Sequence, residues 1–323
     1  MNTKNPLTEI AGIIAAVLIG LCIATQVRIN GELAIRIDDG YVAAVISFGS
    51  GLIVMVVTLG FSRAGRAGFG ALAEALRTRR LPWWGVLGGL SGALFVLSQG
   101  LTVGSIGVAL FMVAVVSGQT LSGLLVDRFG IGPAGRAAIT PARIIGAALC
   151  LVAVVIVAWG GIAADAPLWM LIIPALAGVG VAWQQAVNGR VRIESYSAVT
   201  ATFLNFAFGT AALLAVLAVH AATAELPGSY PTELWLYLGG PIGVVFVAAG
   251  TIVVRFTGVL ILGLGTVAGQ LLGSLLIEIV APADGPGPGI PVLVGTALTL
   301  VAVLIASGVL TGSRGTPRDQ PVA

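Results

Sequence analysis

Ala24-Thr-Gln26-Val-Arg28-Ile-Asn30-Gly31-Glu32-Leu33, running on through Ile46-Ser47-Phe48-Gly49-Ser50-Gly51, is the stretch on which the reading of this chain turns. It recurs 158 positions later without a gap: Gln26 falls on Gln184, Asn30 on Asn188, Gly31 on Gly189, Ser47 on Asn205, Phe48 on Phe206 and Gly51 on Gly209. A second block recurs at a shift of 151, where Gly88, Gly89, Gly92 and Phe95 meet Gly239, Gly240, Gly243 and Phe246. The same shift carries Gly107 onto Gly258, Gly118-Gln119 onto Gly269-Gln270, Leu125 onto Leu276 and Asp127 onto Glu278. The drop from 158 to 151 places seven extra residues in the first copy, within the Arg-rich segment 63–80. Self-similarity at one long fixed period marks a duplicated structural unit, and we divide the chain into units 1–164 and 165–323.

Composition names the solvent in which those units fold. Hydrophobic residues make up 58% of the chain and charged ones 9%, with a mean hydropathy of +1.07. A helix crosses a bilayer in about 20 apolar residues. Uncharged runs of that order cover 10–27, 41–62, 81–126, 144–164, 166–189, 195–219, 234–254, 256–277 and 285–313. The run 81–126 is twice the needed length, and Gly100, Gly104, Ser105 and Gly107 near its middle predict a helical hairpin turning around Thr102 to Ile106. The expected fold is an all-α membrane protein of ten spans, five per unit.

Basic residues in short loops stay on the cytoplasmic side of a membrane. With the N-terminus inside, Lys4, Arg63, Arg66, Arg77, Arg79, Arg80, Arg128, Arg136, Arg143, Arg190, Arg192, Arg255, Arg314 and Arg318 are all cytoplasmic, and Arg28 and Arg36 alone lie outside. An odd number of spans per unit then sends the second unit into the membrane from the opposite face. That 5+5 inverted-topology repeat is the arrangement from which secondary transporters build alternating access around a midplane site.

The first apolar segment lacks a clean small-x-small cleavage pattern, so it reads as a permanent helix from Glu9 to Val27 rather than a signal peptide. Cys22 and Cys150 sit inside apolar spans and read as small buried hydrophobes. Glu32 with Arg36, and Arg190 with Glu194, are four apart and predict bridges along a helix that projects past the headgroups. The loop 63–82 is basic and partly amphipathic, suited to anionic lipid headgroups rather than to nucleic acid. Trp83-Trp84 and Trp235 with Tyr237 belong at the membrane interface. Gly88 and Gly92, Gly239 and Gly243, and Gly269 and Gly273 are small residues four apart, a spacing that lets helix backbones approach.

Catalytic and cofactor signatures fail on context. Gly130-Ile-Gly-Pro-Ala-Gly135 has dinucleotide-loop spacing, but no strand precedes it and Pro133 falls where the helix should begin. The sequence has no phosphate-binding GxxxxGK[ST] loop, no Cys/His cluster and no nucleophile elbow, and His220, the single histidine, lies at the end of a span. We expect neither enzyme, metal nor cofactor. What remains is the polar set inside the spans, where each amide or acid tends to face the protein interior or a wet cavity: Gln26, Asn30, Ser47, Gln99, Gln119, Gln184, Gln185, Asn188, Asn205, Gln270 and Glu278. Gln26 with Asn30, and Gln184 with Asn188, each share a helix face. Asn-Gly in both places marks a point where the helix is expected to loosen. Asp127 reads as solvated, whereas Glu278 follows 22 uncharged residues and is the candidate proton carrier.

The blocks Asn30-Gly31 through Ser47-Phe48-Gly51, Pro82-Trp83-Trp84 through Gly118-Gln119, and Asp127-Arg128-Phe129-Gly130 resemble the YdcZ-like branch of the drug/metabolite transporter superfamily, as a fused pair of five-span units. The resemblance implies ten helices around a central cavity lined by the first, third, fourth, sixth, eighth and ninth, in a bacterial inner membrane. The small multidrug members of that superfamily carry a glutamate in their first helix; here Gln26 stands without one. The reading is a secondary active transporter, an exporter of a small polar or amphipathic metabolite or drug, acting as monomer or homodimer. Amides without charge suit a neutral or zwitterionic cargo better than a permanent cation. Gln26, Asn30, Gln119, Gln184, Asn188, Asn205 and Gln270 are the expected solute contacts and Glu278 the expected coupling residue, with protons and membrane lipids as further partners. An uncoupled facilitator or channel, and a non-transporting assembly or sensor protein, are the alternatives.

Overall fold

The computed structural model describes residues 6–132, 135–136, 139–161, 167–257, 259–281 and 289–306. Lys4, Pro133, Asp165, Gly258, Arg314 and Arg318 lie outside them. The described residues build ten α-helices: α1 (Pro6–Ile37), α2 (Gly40–Phe61), α3 (Arg63–Arg77), α4 (Gly88–Phe129), α5 (Pro141–Gly161), α6 (Trp169–Ser195), α7 (Ala198–Ala221), α8 (Gly239–Thr257), α9 (Val259–Val280) and α10 (Ile290–Ala306). Single 3-10 turns, Trp83–Val86 and Leu234–Tyr237, lead into α4 and α8. Among the described residues, five helices (α1, α2, α4, α6 and α7) are long and apolar enough to cross a membrane, and shorter apolar helices lie within α5, α8, α9 and α10.

Local chemistry sets the helix ends. Asp39 caps α2 through its side chain, which accepts from the Tyr41 and Val42 N–H groups, and Ser197 caps α7 in the same way through Thr200. These two caps satisfy N–H groups that a helix leaves without partners in its first turn. Ser62 ends α2 and caps α3 through Gly65. α1 runs unbroken through Asn30-Gly31, so the expected loosening there is absent. Gly31 serves packing instead, because a methyl group at that position would collide with Val103.

α4 runs on without a loop but is two helices by direction. Gly107 sits inside it at φ 75°, ψ 166°, a backbone conformation open to glycine alone. The rings of Phe95 and Phe111 stand 5.9 Å apart between centroids. Sixteen residues of straight helix would separate them by about 24 Å, so the chain reverses at Gly107, just beyond the expected Thr102 to Ile106. The glycines before it are used for contact: Gly100 lies against the Gly40 backbone and Gly104 against Ile35.

Close helix crossings hold the bundle together, and they come in matched pairs. Gly20 of α1 and Gly269 of α9 pack backbone to backbone, a methyl group on Gly269 running into the Val17 carbonyl. Gly178 of α6 and Gly118 of α4 do the same, with Gly118 against the Ala175 carbonyl. Along α1 and α9 the contacts advance together, from Ala16 with Gly265 to Leu21 and Ala24 with Gly273, so these helices run parallel. The core between them is filled by Phe111, Met112, Leu271, Val27 and Val96, all buried. α3 is amphipathic and lies across α6 and α7, where Leu72, Ala75 and Leu81 pack with Val191 and Ala201. Leu236 fills the corresponding place at the other end, among Leu33, Ile37, Val42 and Ala43.

Candidate functional site

Side chains of α1 and α2 converge on the backbone of Gly239, the first residue of α8, and α4 joins them through Gln99. Gln26 of α1 donates from Nε2 to the Gly239 carbonyl at 2.7 Å. One turn further along α1, Asn30 donates from Nδ2 to Gln99 Oε1 of α4 at 2.6 Å. A methyl group on Gly239 would meet both Asn30 Oδ1 and Ser47 Oγ of α2, so only glycine admits this gathering of side chains. All four polar residues are at most 3% exposed. Four of their atoms, Gln26 Oε1, Asn30 Oδ1, Ser47 Oγ and Gln99 Nε2, are buried with no protein partner. A buried polar atom left so costs about 1–3 kcal/mol, and four of the eight such atoms among the described residues gather here.

The second copy builds a different group from the same positions. Asn205 of α7, the counterpart of Ser47, accepts at Oδ1 from Gln184 Nε2 at 2.7 Å and from Asn188 Nδ2 at 2.9 Å. The carboxamide oxygen at position 205 reaches both α6 side chains, and Gln184 and Asn188 stay part-exposed. Glycines admit this group as well: Gly88 lies against Asn188 and Gly92 against Gln184, as Gly239 and Gly243 lie against Asn30 and Gln26.

Phe48 and Phe206 stand between the two groups. Their rings are 5.0 Å apart between centroids, and each rests on a glycine of the other unit, Phe48 on Gly209 and Phe206 on Gly51. The two rings are a matched pair in the sequence, but they carry no polar atom that would single them out there. Gln99, in the polar set but not among the expected solute contacts, has a glycine opposite it at position 250 of the repeat.

The remaining expected site residues fall elsewhere. Gln119 lies on the seam of α4 with α6 and donates to Gln185 Oε1 at 3.4 Å, with its own Oε1 buried and unpartnered. Gln270 occupies the matching seam of α9 with α1, beside Gly20, and its Oε1 is likewise unpartnered. Neither bonds to a member of the two amide groups. Glu278 accepts at Oε2 from the Val108 N–H at 3.0 Å, capping the arm of α4 that begins after the Gly107 reversal. Asp127 is half-exposed, as expected, and accepts from Arg143 at 2.8 Å.

Charged pairs close the two ends of the bundle. At one end Glu32 bridges Arg28 at 3.2 Å and Arg36 at 2.9 Å, as its helical spacing predicts, and His220 Nε2 lies 3.2 Å from Asp39 Oδ2 while its ring stacks on Tyr41. At the other end Glu194 takes Arg80 as its partner at 2.9 Å, not Arg190 four residues away. Thr200 donates to the Gly65 carbonyl there at 2.8 Å and fastens α3 to α7. An apolar groove of about 260 Å³ opens between α1 and α8, lined by Leu18, Ile19, Cys22, Val245, Phe246 and Ala249 among others. It begins one helical turn from Gln26.

These features meet known membrane proteins at the level of family. The family model described as "Putative inner membrane exporter, YdcZ" matches residues 11–156 and 169–311. The inner membrane protein YdcZ of Escherichia coli (strain K12) is 32% identical over 77 residues, which are 24% of this chain and 48% of that protein, so the likeness spans about half the relative's length. A solved structure, named no further than "Crystal structure of protein", matches 96% of this chain and 100% of its own at a TM-score of 0.54 and 20% identity, a likeness of fold alone.

Proposed function

The chain belongs to the family described as "Putative inner membrane exporter, YdcZ", and from that premise we propose that it is a secondary active transporter moving a small polar or amphipathic solute outward by alternating access. Ten spans arranged as two inverted five-helix units, 1–164 and 165–323, form one transport domain with both termini in the cytoplasm. The observation that carries the reading is the cross-unit interlock at matched positions. Gly239 receives Asn30 as Gly88 receives Asn188, Gly51 receives Phe206 as Gly209 receives Phe48, and Gly20 meets Gly269 as Gly178 meets Gly118. Two units that grip each other through equivalent contacts can exchange conformations at little net cost, which is what opening a central site first to one side and then to the other requires.

The reversal at Gly107 supports counting α4 as two spans, and the parallel course of α1 and α9 supports an even number of crossings from the start of one to the start of the other. The excess of Lys and Arg in the loops assigned to the cytoplasm supports the orientation. Uncharged amides suit a neutral or zwitterionic solute better than a permanent cation. Glu278, the acid joining α9 to the reversal of α4, is the candidate for proton coupling. One specific observation favours a second reading, an uncoupled facilitator: a carboxylate that caps a helix has a structural reason to be where it is.

The test is flux in proteoliposomes. Replacing Asn30 and Asn188 by alanine together is expected to abolish flux of any carried solute while the protein stays monodisperse in detergent. Undiminished flux would remove the amide groups from the solute path.

A further inference from the structure

We propose that α3 is a docking surface for anionic phospholipids, its arginines taking the phosphodiester oxygens of headgroups that carry net negative charge. Chain connectivity sets its depth in the membrane. Ser62 alone separates α3 from α2, a helix long and apolar enough to cross a membrane. Beyond its other end the single turn Trp83–Val86 leads into α4, another such helix. α3 itself, 15 residues and about 22 Å long, is too short and too charged to cross, so it lies along the headgroup layer between the two spans. Phe61 is 88% exposed and Trp83 72% exposed on either side of it, as aromatic rings at the level of the headgroups are.

The two faces of α3 divide by chemistry. Gly65, Gly68, Leu72 and Ala75 are buried against α6 and α7. Arg63, Arg66 and Arg77 fall about 120–180° round the helix from Leu72 and are exposed. Arg79 and Arg80 extend the exposed set past the last turn. Three of the five are engaged within the protein: Arg66 donates to the Leu59 carbonyl at 3.1 Å, Arg77 pairs with Glu74 at 2.9 Å and Arg80 with Glu194 at 2.9 Å. The side chains of Arg63 and Arg79 have no partner among the described residues. Five arginines against one acid, Glu74, leave the segment 63–80 with four positive charges in excess. The repeat supplies the contrast. The equivalent connector of the second unit, 222–233, forms no helix and carries Glu225 and Glu233 with no Lys or Arg. A basic helix is therefore an addition to the repeat and not a requirement of joining two spans. Guanidinium groups take phosphate oxygens in pairs, and each basic residue near an anionic lipid surface strengthens binding about fivefold.

The experiment titrates the full chain, purified in a neutral detergent, with short-chain phosphatidylglycerol and follows the Tm. Phosphatidylcholine of the same chain length and inorganic phosphate are the comparators. Phosphatidylglycerol alone is expected to raise the Tm, saturably and less at high salt. Arg63→Gln with Arg79→Gln removes the two cations that bond to nothing else in the protein and is expected to weaken phosphatidylglycerol binding about 25-fold. Glu74→Gln frees Arg77 and is expected to tighten that binding several-fold. Arg36→Gln, at the other end of the bundle, is expected to leave it unchanged. Equal stabilisation by phosphatidylcholine, an equal response to inorganic phosphate, or indifference to the loss of Arg63 and Arg79 overturns the proposal. Should the double variant fail to fold, an unchanged affinity in Glu74→Gln overturns it as well. Solute flux has no part in the readout, so this surface and the transport reading stand or fall separately.

Discussion

Replacing Glu278 by glutamine separates a coupling residue from a helix cap. The Val108 N–H that reaches Glu278 Oε2 at 3.0 Å is the first free donor after the reversal at Gly107. A carboxylate there makes a charge-assisted bond worth about 1.5–3 kcal/mol, against about 1 kcal/mol for a neutral acceptor, and adds about 0.3–1 kcal/mol through the dipole of the following helix. Glutamine keeps an oxygen at the same reach, so the bond persists and the loss is about 1–2 kcal/mol, a fall in Tm of about 2–4 °C. Coupling makes a larger demand. One proton moved down a gradient of one pH unit supplies about 1.4 kcal/mol and supports about a tenfold solute gradient. With Glu278→Gln, uphill accumulation driven by an imposed pH gradient should collapse to equality across the liposome membrane, while downhill flux stays within about threefold of wild type, an allowance for the small stability loss. The assay is time-resolved uptake of whichever solute the wild type carries, with and without the gradient. A Glu278→Gln protein that still holds a tenfold gradient refutes coupling through this acid and leaves it as a cap.

Gly118→Ala places a methyl group against the Ala175 carbonyl and should cost about 2–3 kcal/mol, whereas Gly123→Ala, five residues along the same helix with nothing within 4 Å, should be neutral or stabilising by up to about 1 kcal/mol; thermal unfolding in detergent ranks the pair, and equal losses would remove the crossing from the account. Reporter tags inserted beside Asp165 and after Arg318 should report opposite compartments, and finding both on one side would undo the inverted arrangement.

Much of this architecture is legible in the sequence because duplication writes each constraint twice. A glycine that admits a neighbouring side chain has to be a glycine in both copies, so Gly88, Gly92, Gly239 and Gly243 stand out in the sequence and the structure puts each against an amide of the other unit. Glycine's several uses look alike in one dimension, however. Gly31 follows an asparagine as a loosened helix would have it and instead makes room for Val103; Gly104 sits where a turn is expected and instead packs on Ile35, while Gly107 takes the positive φ. Ion pairs divide by range in the same way. Glu32 with Arg36 follows from helical spacing, but Glu194 pairs with Arg80, 114 residues distant, rather than with Arg190 on its own helix. The capping role of Glu278 is hidden for a related reason, since its partner is a backbone N–H 170 residues away and no side chain announces it.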